Sequence, residues 1–203
     1  MTKICVLDYG SGNVRSVFNL FNSINQSVII SNQYKDIKNA SHIVLPGVGS
    51  FGSAMNNIKL NIPLGILEEE VLTKGKPFLG ICVGMQVMAT ESSEFGKHLG
   101  LNWISGEVKK ISADLPLPHI GWNNLKIFQN SKLLEGINED LDFYFVHSFK
   151  FHLNDSSLLV ASSEYGESIP SIINKENLFG VQFHPEKSQV AGKKLAINFL
   201  KIK

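Results

Sequence analysis

The feature that most constrains this chain is an alternation through its first half, where short β-branched apolar runs are each followed by a stretch of helical character. Ile4–Leu7 reads as a strand, followed by Gly10-Ser11-Gly12 and a helix near Asn13–Ile24. Val28–Ser31 and His42–Leu45 read as further strands, the latter ending at Pro46-Gly47. A helix covers Ile66–Lys74, Pro77–Ile81 is another short strand, and Val83–Ala89 continues as a helix. Strands separated by helices pair in parallel, so this half predicts an α/β fold. In the second half, Trp103–Ile111, Asn124–Phe128, Phe143–Val146, Leu158–Ser162, Ile169–Asn174 and Leu178–Phe183 read as closely spaced strands. Their spacing suggests hairpins and an antiparallel extension, closed by a last helix at Gln189–Leu200. The expectation is one domain over residues 1–203, a three-layer α/β architecture with a mixed central sheet.

Composition removes several function classes. A chain of 203 residues, 43% hydrophobic and 18% charged, suits one sizeable core. Its formal net charge of +1 lacks the basic excess of a nucleic-acid binder. No run approaches the ~18 apolar residues of a membrane span, and the apolar N-terminal stretch is too short for a signal peptide. The two cysteines, Cys5 and Cys82, make no disulfide framework, which fits a reducing cytoplasm. Cys5 sits within Ile4–Leu7 and reads as a core residue. The acidic stretch Glu68-Glu69-Glu70 reads as a solvated helix face.

The sharpest local signal is Phe78-Leu79-Gly80-Ile81-Cys82-Val83-Gly84-Met85-Gln86. An apolar strand enters Gly-x-Cys-x-Gly and leaves as a helix, the layout of a nucleophile elbow with Cys in place of Ser. The glycines relieve a sharp turn. Cys82 would lie at the strand's carboxyl end beside a helix N-terminus, which favours a thiolate. The Val83 N–H could donate to an oxyanion. Taken alone, the motif could equally be a buried cysteine in a tight turn.

A second segment supplies the complement: Phe179-Gly180-Val181-Gln182-Phe183-His184-Pro185-Glu186-Lys187-Ser188. Val181 and Phe183 alternate with Gln182 and His184 as in a strand, with His184 at its end. Pro185 disfavours helix at His184, so the chain is read as extended and Glu186 as projecting to the side of His184. Of six histidines, only His184 has a carboxylate two residues on across a proline. A base and its orienting acid then join the cysteine.

Gly-Ile-Cys-x-Gly-x-Gln together with Gln-Phe-His-Pro-Glu resembles the class I, triad-type glutamine amidotransferases. Within that family, Pro46-Gly47-Val48-Gly49, Pro118-His119-Ile120-Gly121-Trp122-Asn123, Tyr144-Phe145-Val146-His147-Ser148 and His184-Pro185-Glu186-Lys187-Ser188 are similar to the glutaminase subunits of imidazole glycerol phosphate synthases. The resemblance spans essentially the whole chain. Val83, Ile120 and Phe149 stand where Leu, Met and Tyr are commoner. It implies a flavodoxin-like three-layer fold and hydrolysis of L-glutamine by Cys82, His184 and Glu186, with no metal or organic cofactor. It implies an oxyanion site and gate at Val83, Gly47, Val48 and Gly49, and glutamine contacts from Gly49, Gln86, Ser148 and Phe149. It further implies ammonia transfer to a (βα)8-barrel cyclase in a heterodimer, with Trp122, Asn123, Tyr144 and Lys187 as candidates for the partner face.

Three rival readings stay open at this stage. Gly47-Val48-Gly49-Ser50-Phe51-Gly52 is a full G-x-G-x-x-G match after a strand, and Glu68–Glu70 follow at roughly the spacing of a dinucleotide ribose contact. Pro46, the position after the third strand and the unexplained Cys–His–Glu set argue against a nucleotide site. Gly10-Ser11-Gly12 fails because Arg15 stands at the third glycine position. A standalone cysteine hydrolase on the same fold is the second rival, and an amidotransferase feeding a surface-sugar synthetase is the third.

Overall fold

The computed structural model describes residues 2–24 and 27–203. Its centre is an eight-stranded sheet built from β1 (Lys3–Leu7), β2 (Ser27–Ser31), β3 (His42–Leu45), β4 (Phe78–Ile81), β5 (Lys126–Ile127), β6 (Leu159–Glu164), β7 (Ser168–Lys175) and β8 (Leu178–Val181). The strand order is β2-β1-β3-β4-β8-β7-β6-β5. The strands from β2 to β8 run parallel, and the rest continue antiparallel. The mixed sheet expected from sequence is therefore present. β3, β4 and β8 are buried at every residue, so both faces are covered, as parallel strands require.

Among the described residues six α-helices accompany the sheet: α1 (Val14–Asn22), α2 (Tyr34–Asn39), α3 (Phe51–Asn61), α4 (Leu64–Glu68), α5 (Val83–Gln86) and α6 (Gln189–Phe199). α1 packs beside α6, and α2 beside α4. Two smaller sheets lie outside the central one. His119–Asn123 pairs with Phe143–His147, and Phe149–Leu153 pairs with Gly106–Lys110, which continues to Glu91–Ser92 and His98–Leu99. Within the predicted Trp103–Ile111 only Gly106–Lys110 is strand, and within Asn124–Phe128 only Lys126–Ile127. Among the described residues no helix is long and apolar enough to cross a membrane.

The acidic stretch corrects one expectation. α4 continues into a wider π-type turn, Glu69–Thr73, which carries Glu70 inward. The Glu70 carboxylate is buried and receives Lys74 Nζ at 2.6 Å and Lys76 Nζ at 2.7 Å. Burial pushes its pKa up, but the two ammonium groups outweigh this and hold it below the usual value. An inserted residue per turn rotates one glutamate off the solvent face, and a charge so placed must be paired.

Candidate active site

β4 and β8 are neighbours, with Gly80 opposite Gly180 and Ile81 opposite Val181. The Cys82 N–H donates to the Val181 carbonyl at 2.8 Å, so the ends of the two strands are locked together. This brings side by side two segments about a hundred residues apart in sequence. The turn itself differs from expectation. The left-handed conformation falls on Cys82, at φ 53°, not on a glycine. A non-glycine residue held there stores strain and is commonly found at functional sites. The flanking glycines serve close approach instead. A Cβ on Gly84 would lie 2.0 Å from the Leu45 carbonyl oxygen, and one on Gly47 would lie 2.4 Å from the Gly84 nitrogen. The Pro46–Gly49 loop thus rests directly on the elbow. Tyr9 fixes it from behind, its hydroxyl donating to the Pro46 carbonyl at 2.8 Å.

On the other side, regular pairing stops at Val181, so His184 lies beyond the strand. His184 itself is extended, as the following proline requires. The next residues do not stay extended: Pro185–Lys187 form a 3₁₀ turn with the proline at its start, where its missing N–H costs nothing. The turn still delivers Glu186 to the ring, with Nδ1 and Oε1 2.8 Å apart and both side chains buried. Glu186 Oε1 also accepts from Asn13 Nδ2 at 2.9 Å, and Asn13 Oδ1 accepts from the Ser11 hydroxyl at 2.8 Å. Burial lowers the His184 pKa, but the Cys82 sulfur and the Glu186 carboxylate together overcome it and push it up to about 10. Burial raises Glu186, and His184 and Asn13 outweigh that to hold it low. His184 Nε2 is buried and has no hydrogen-bond partner among the described residues, so that nitrogen is free for a reacting group.

Cys82, Val83, His184, Val48, Gly49, Gln86, Ser148 and Phe149 line one cavity of about 210 Å³. The sequence-predicted nucleophile, base, oxyanion and glutamine-binding positions therefore meet in one place, with Gly47 just outside it. Gln86 and Phe149 are already engaged with each other: Gln86 Nε2 donates to the Phe149 carbonyl at 3.0 Å, and His147 Nδ1 lies 2.9 Å from the same oxygen. The arrangement suits attack by a buried thiolate on a small carboxamide, beside a base whose tautomer is fixed. A larger hollow of about 670 Å³ between Ile127 and Lys201 is lined by neither cysteine nor histidine.

Trp122, Tyr144 and Lys187 form a separate cluster. Trp122 and Tyr144 are paired across strands with rings 5.8 Å apart, and Lys187 Nζ lies 5.3 Å over the Tyr144 ring. Asn123 departs from them, its amide donating to the Glu164 carbonyl at 2.9 Å. The glycine-rich decoy offers a phosphate no free helix N-terminus. Glu94 Oε2 accepts from the Phe51 N–H at 2.6 Å and so occupies the start of α3, while Gly52 is packed against His98. Cys5 is a buried core residue whose thiol is pushed up to about 12 by burial. Asn13, Gln182 and Tyr9 are site residues whose roles the sequence reading missed. For Gln182 the signal existed, since strand alternation puts it on the same side as His184.

Residues 5–202 match the family model described as glutamine amidotransferase class-I. The imidazole glycerol phosphate synthase subunit HisH of Aquifex aeolicus is 43% identical over 199 residues, covering 97% of this chain and 95% of that protein. The protein of the same description from Rhodospirillum rubrum is 41% identical over 210 residues, covering 98% of each. A solved structure described as a glutamine amidotransferase aligns with a TM-score of 0.75 at 16% identity, over 98% of this chain and 97% of that one. That structural likeness bears on the fold and agrees with the three-layer α/β expectation.

Proposed function

Because the chain belongs to the class-I glutamine amidotransferase family, whose model spans residues 5–202, we propose that it is the glutaminase subunit of an imidazole glycerol phosphate synthase, a single domain acting in histidine biosynthesis. The observation that carries the chemistry is the buried His184–Glu186 pair, its Nε2 free, in one cavity with the Cys82 sulfur. In this reading the Cys82 thiolate attacks the carboxamide carbon of L-glutamine. The tetrahedral oxyanion is held by the Val83 N–H and an N–H of the Gly47–Gly49 loop. Collapse breaks the carbon–nitrogen bond, and His184 Nε2–H protonates the departing nitrogen to give ammonia and a γ-glutamyl thioester. His184 then takes a proton from water, the hydroxyl adds to the thioester, and glutamate leaves as the thiolate re-forms. Glu186 orients the imidazole and stabilises its charge.

The relatives are described as synthase subunits, so the ammonia has a receiving subunit. The partner is a (βα)8-barrel cyclase in a heterodimer, converting a ribulose phosphate substrate to imidazole glycerol phosphate and an aminoimidazole carboxamide ribotide. Ammonia released into neutral water is mostly protonated and no longer nucleophilic, which favours direct transfer. The Trp122–Tyr144–Lys187 cluster is the docking face, and the compartment is the cytoplasm. The test is ammonia release from L-glutamine, with and without the cyclase and its ligand. Cys82→Ala should lose at least roughly a thousandfold in rate while still binding the cyclase. Undiminished glutaminase in Cys82→Ala would refute the mechanism.

A further inference from the structure

The carboxamide of Gln182 is fully buried, and Nε2 lies 3.6 Å from Cys82 Sγ. A buried amide beside a reactive sulfur could present either end to it, as a donor that stabilises a thiolate or as an oxygen that repels one. The orientation is settled by a chain of contacts starting from a group that cannot reverse. The Phe149 carbonyl is only an acceptor. Gln86 must therefore turn its NH₂ toward it, and does so at 3.0 Å. The same NH₂ reaches Gln182 Oε1 at 3.0 Å. With its oxygen held there, Gln182 can offer the sulfur only its N–H. The Gln182 backbone is fixed as well, its N–H donating to the Ser171 carbonyl at 2.9 Å.

We propose that Gln182 is a catalytic donor to the Cys82 sulfur, and that Gln86 is the positioning residue that fixes its orientation through the Phe149 carbonyl. This rests on Cys82 being the nucleophile. The thiolate then has a fixed N–H donor from the residue just after β8 in addition to the imidazolium. When the sulfur is acylated and loses its charge, the Gln182 contact weakens. The donor therefore favours return of the thiolate as leaving group in the second half of the reaction. A hydrogen bond to a charged acceptor outweighs a neutral one, so losing it should be visible in sulfur reactivity.

The test is alkylation of the full chain by iodoacetamide as a function of pH, read by mass spectrometry, with Cys82→Ala as background. Cys5 is buried and contributes little. In Gln182→Met the rate at neutral pH should fall roughly tenfold to a hundredfold, with the profile displaced to higher pH. Gln182→Leu, which has about the same bulk and no donor, should behave likewise. Gln86→Leu leaves Gln182 in place but frees its amide to turn, so it should lose part of the same reactivity. The double variant should lose no more than Gln182→Met alone. A native profile in folded Gln182→Met or Gln182→Leu overturns the proposal, as does strict additivity with Gln86→Leu. Should both Gln182 variants fail to fold, an unchanged profile in Gln86→Leu overturns it. Because alkylation needs neither glutamine nor a partner, a failure here is separable from a failure of the glutaminase reading.

Discussion

His184 can serve as acid and base only if its ring presents one nitrogen to the cavity in every turnover, and the contact to Glu186 enforces this. The two groups shift in opposite directions, and the signs define a pH window. Glu186 is held below its ordinary 4.5, so its contribution to stability is present above that value and drains away as pH falls through the lowered one. His184 is raised from 6.5 to about 10, so its contribution is complete below 6.5 and is lost as pH climbs through 10. Glu186→Gln should therefore cost most in melting temperature between about pH 4.5 and 6.5. The gap between native and variant should narrow toward both extremes in a pH series of thermal melts. A gap constant with pH would mean that the pair contributes by shape alone. His184 and Glu186 were legible because they stand two residues apart around a proline. Asn13 was not, because 173 residues separate it from the carboxylate it anchors and an asparagine carries no pattern of its own.

The elbow is where two elements touch with no side chain between them. Gly84→Ala would drive a methyl into the Leu45 carbonyl, a backbone atom that cannot yield. A loss of about 3 kcal/mol or more is expected in denaturant unfolding. Gly49→Ala meets nothing within 4 Å and suffers only its positive φ of 93°. It should cost about 1–2 kcal/mol, with the larger loss in glutaminase rate if, as proposed, this loop aims an N–H. Similar destabilisation by the two variants would contradict the packing described. Most strands were visible from their apolar runs. α3 was missed although Phe51, Ala54, Met55 and Ile58 mark its buried face at helical spacing, because the glycines at its start read as a loop. The inward turn of Glu70 was unreadable, since a π-type turn leaves no trace in hydrophobic period.

At the scale of the molecule, the Cys82–His184 site and the proposed docking cluster are drawn from different sheets. Cys82 and His184 follow the carboxyl ends of central strands, whereas Trp122 and Tyr144 stand on the separate His119–Asn123 and Phe143–His147 pair. The two are stitched together by short bonds: the His184 N–H donates to the Tyr144 carbonyl at 2.9 Å, and the Ser188 hydroxyl accepts from the Tyr144 N–H at 3.0 Å and donates to the His184 carbonyl at 2.7 Å. Trp122 is about half exposed, as an interface anchor would be before docking. Trp122→Ala should weaken cyclase binding roughly tenfold or more by calorimetry, with unchanged far-UV circular dichroism. Unaltered affinity would move the docking face elsewhere. The α/β class was open to sequence reasoning because alternation of apolar runs is local. The neighbouring of β4 and β8 was not, since it is a matter of topology. That neighbouring has a consequence in time. A ribosome delivers the cysteine long before the histidine, and the strand that must dock beside it is made about a hundred residues later. Over the intervening 102 residues of synthesis the growing polypeptide carries Cys82 without His184, so the pair cannot act on an amide until the second segment has been made.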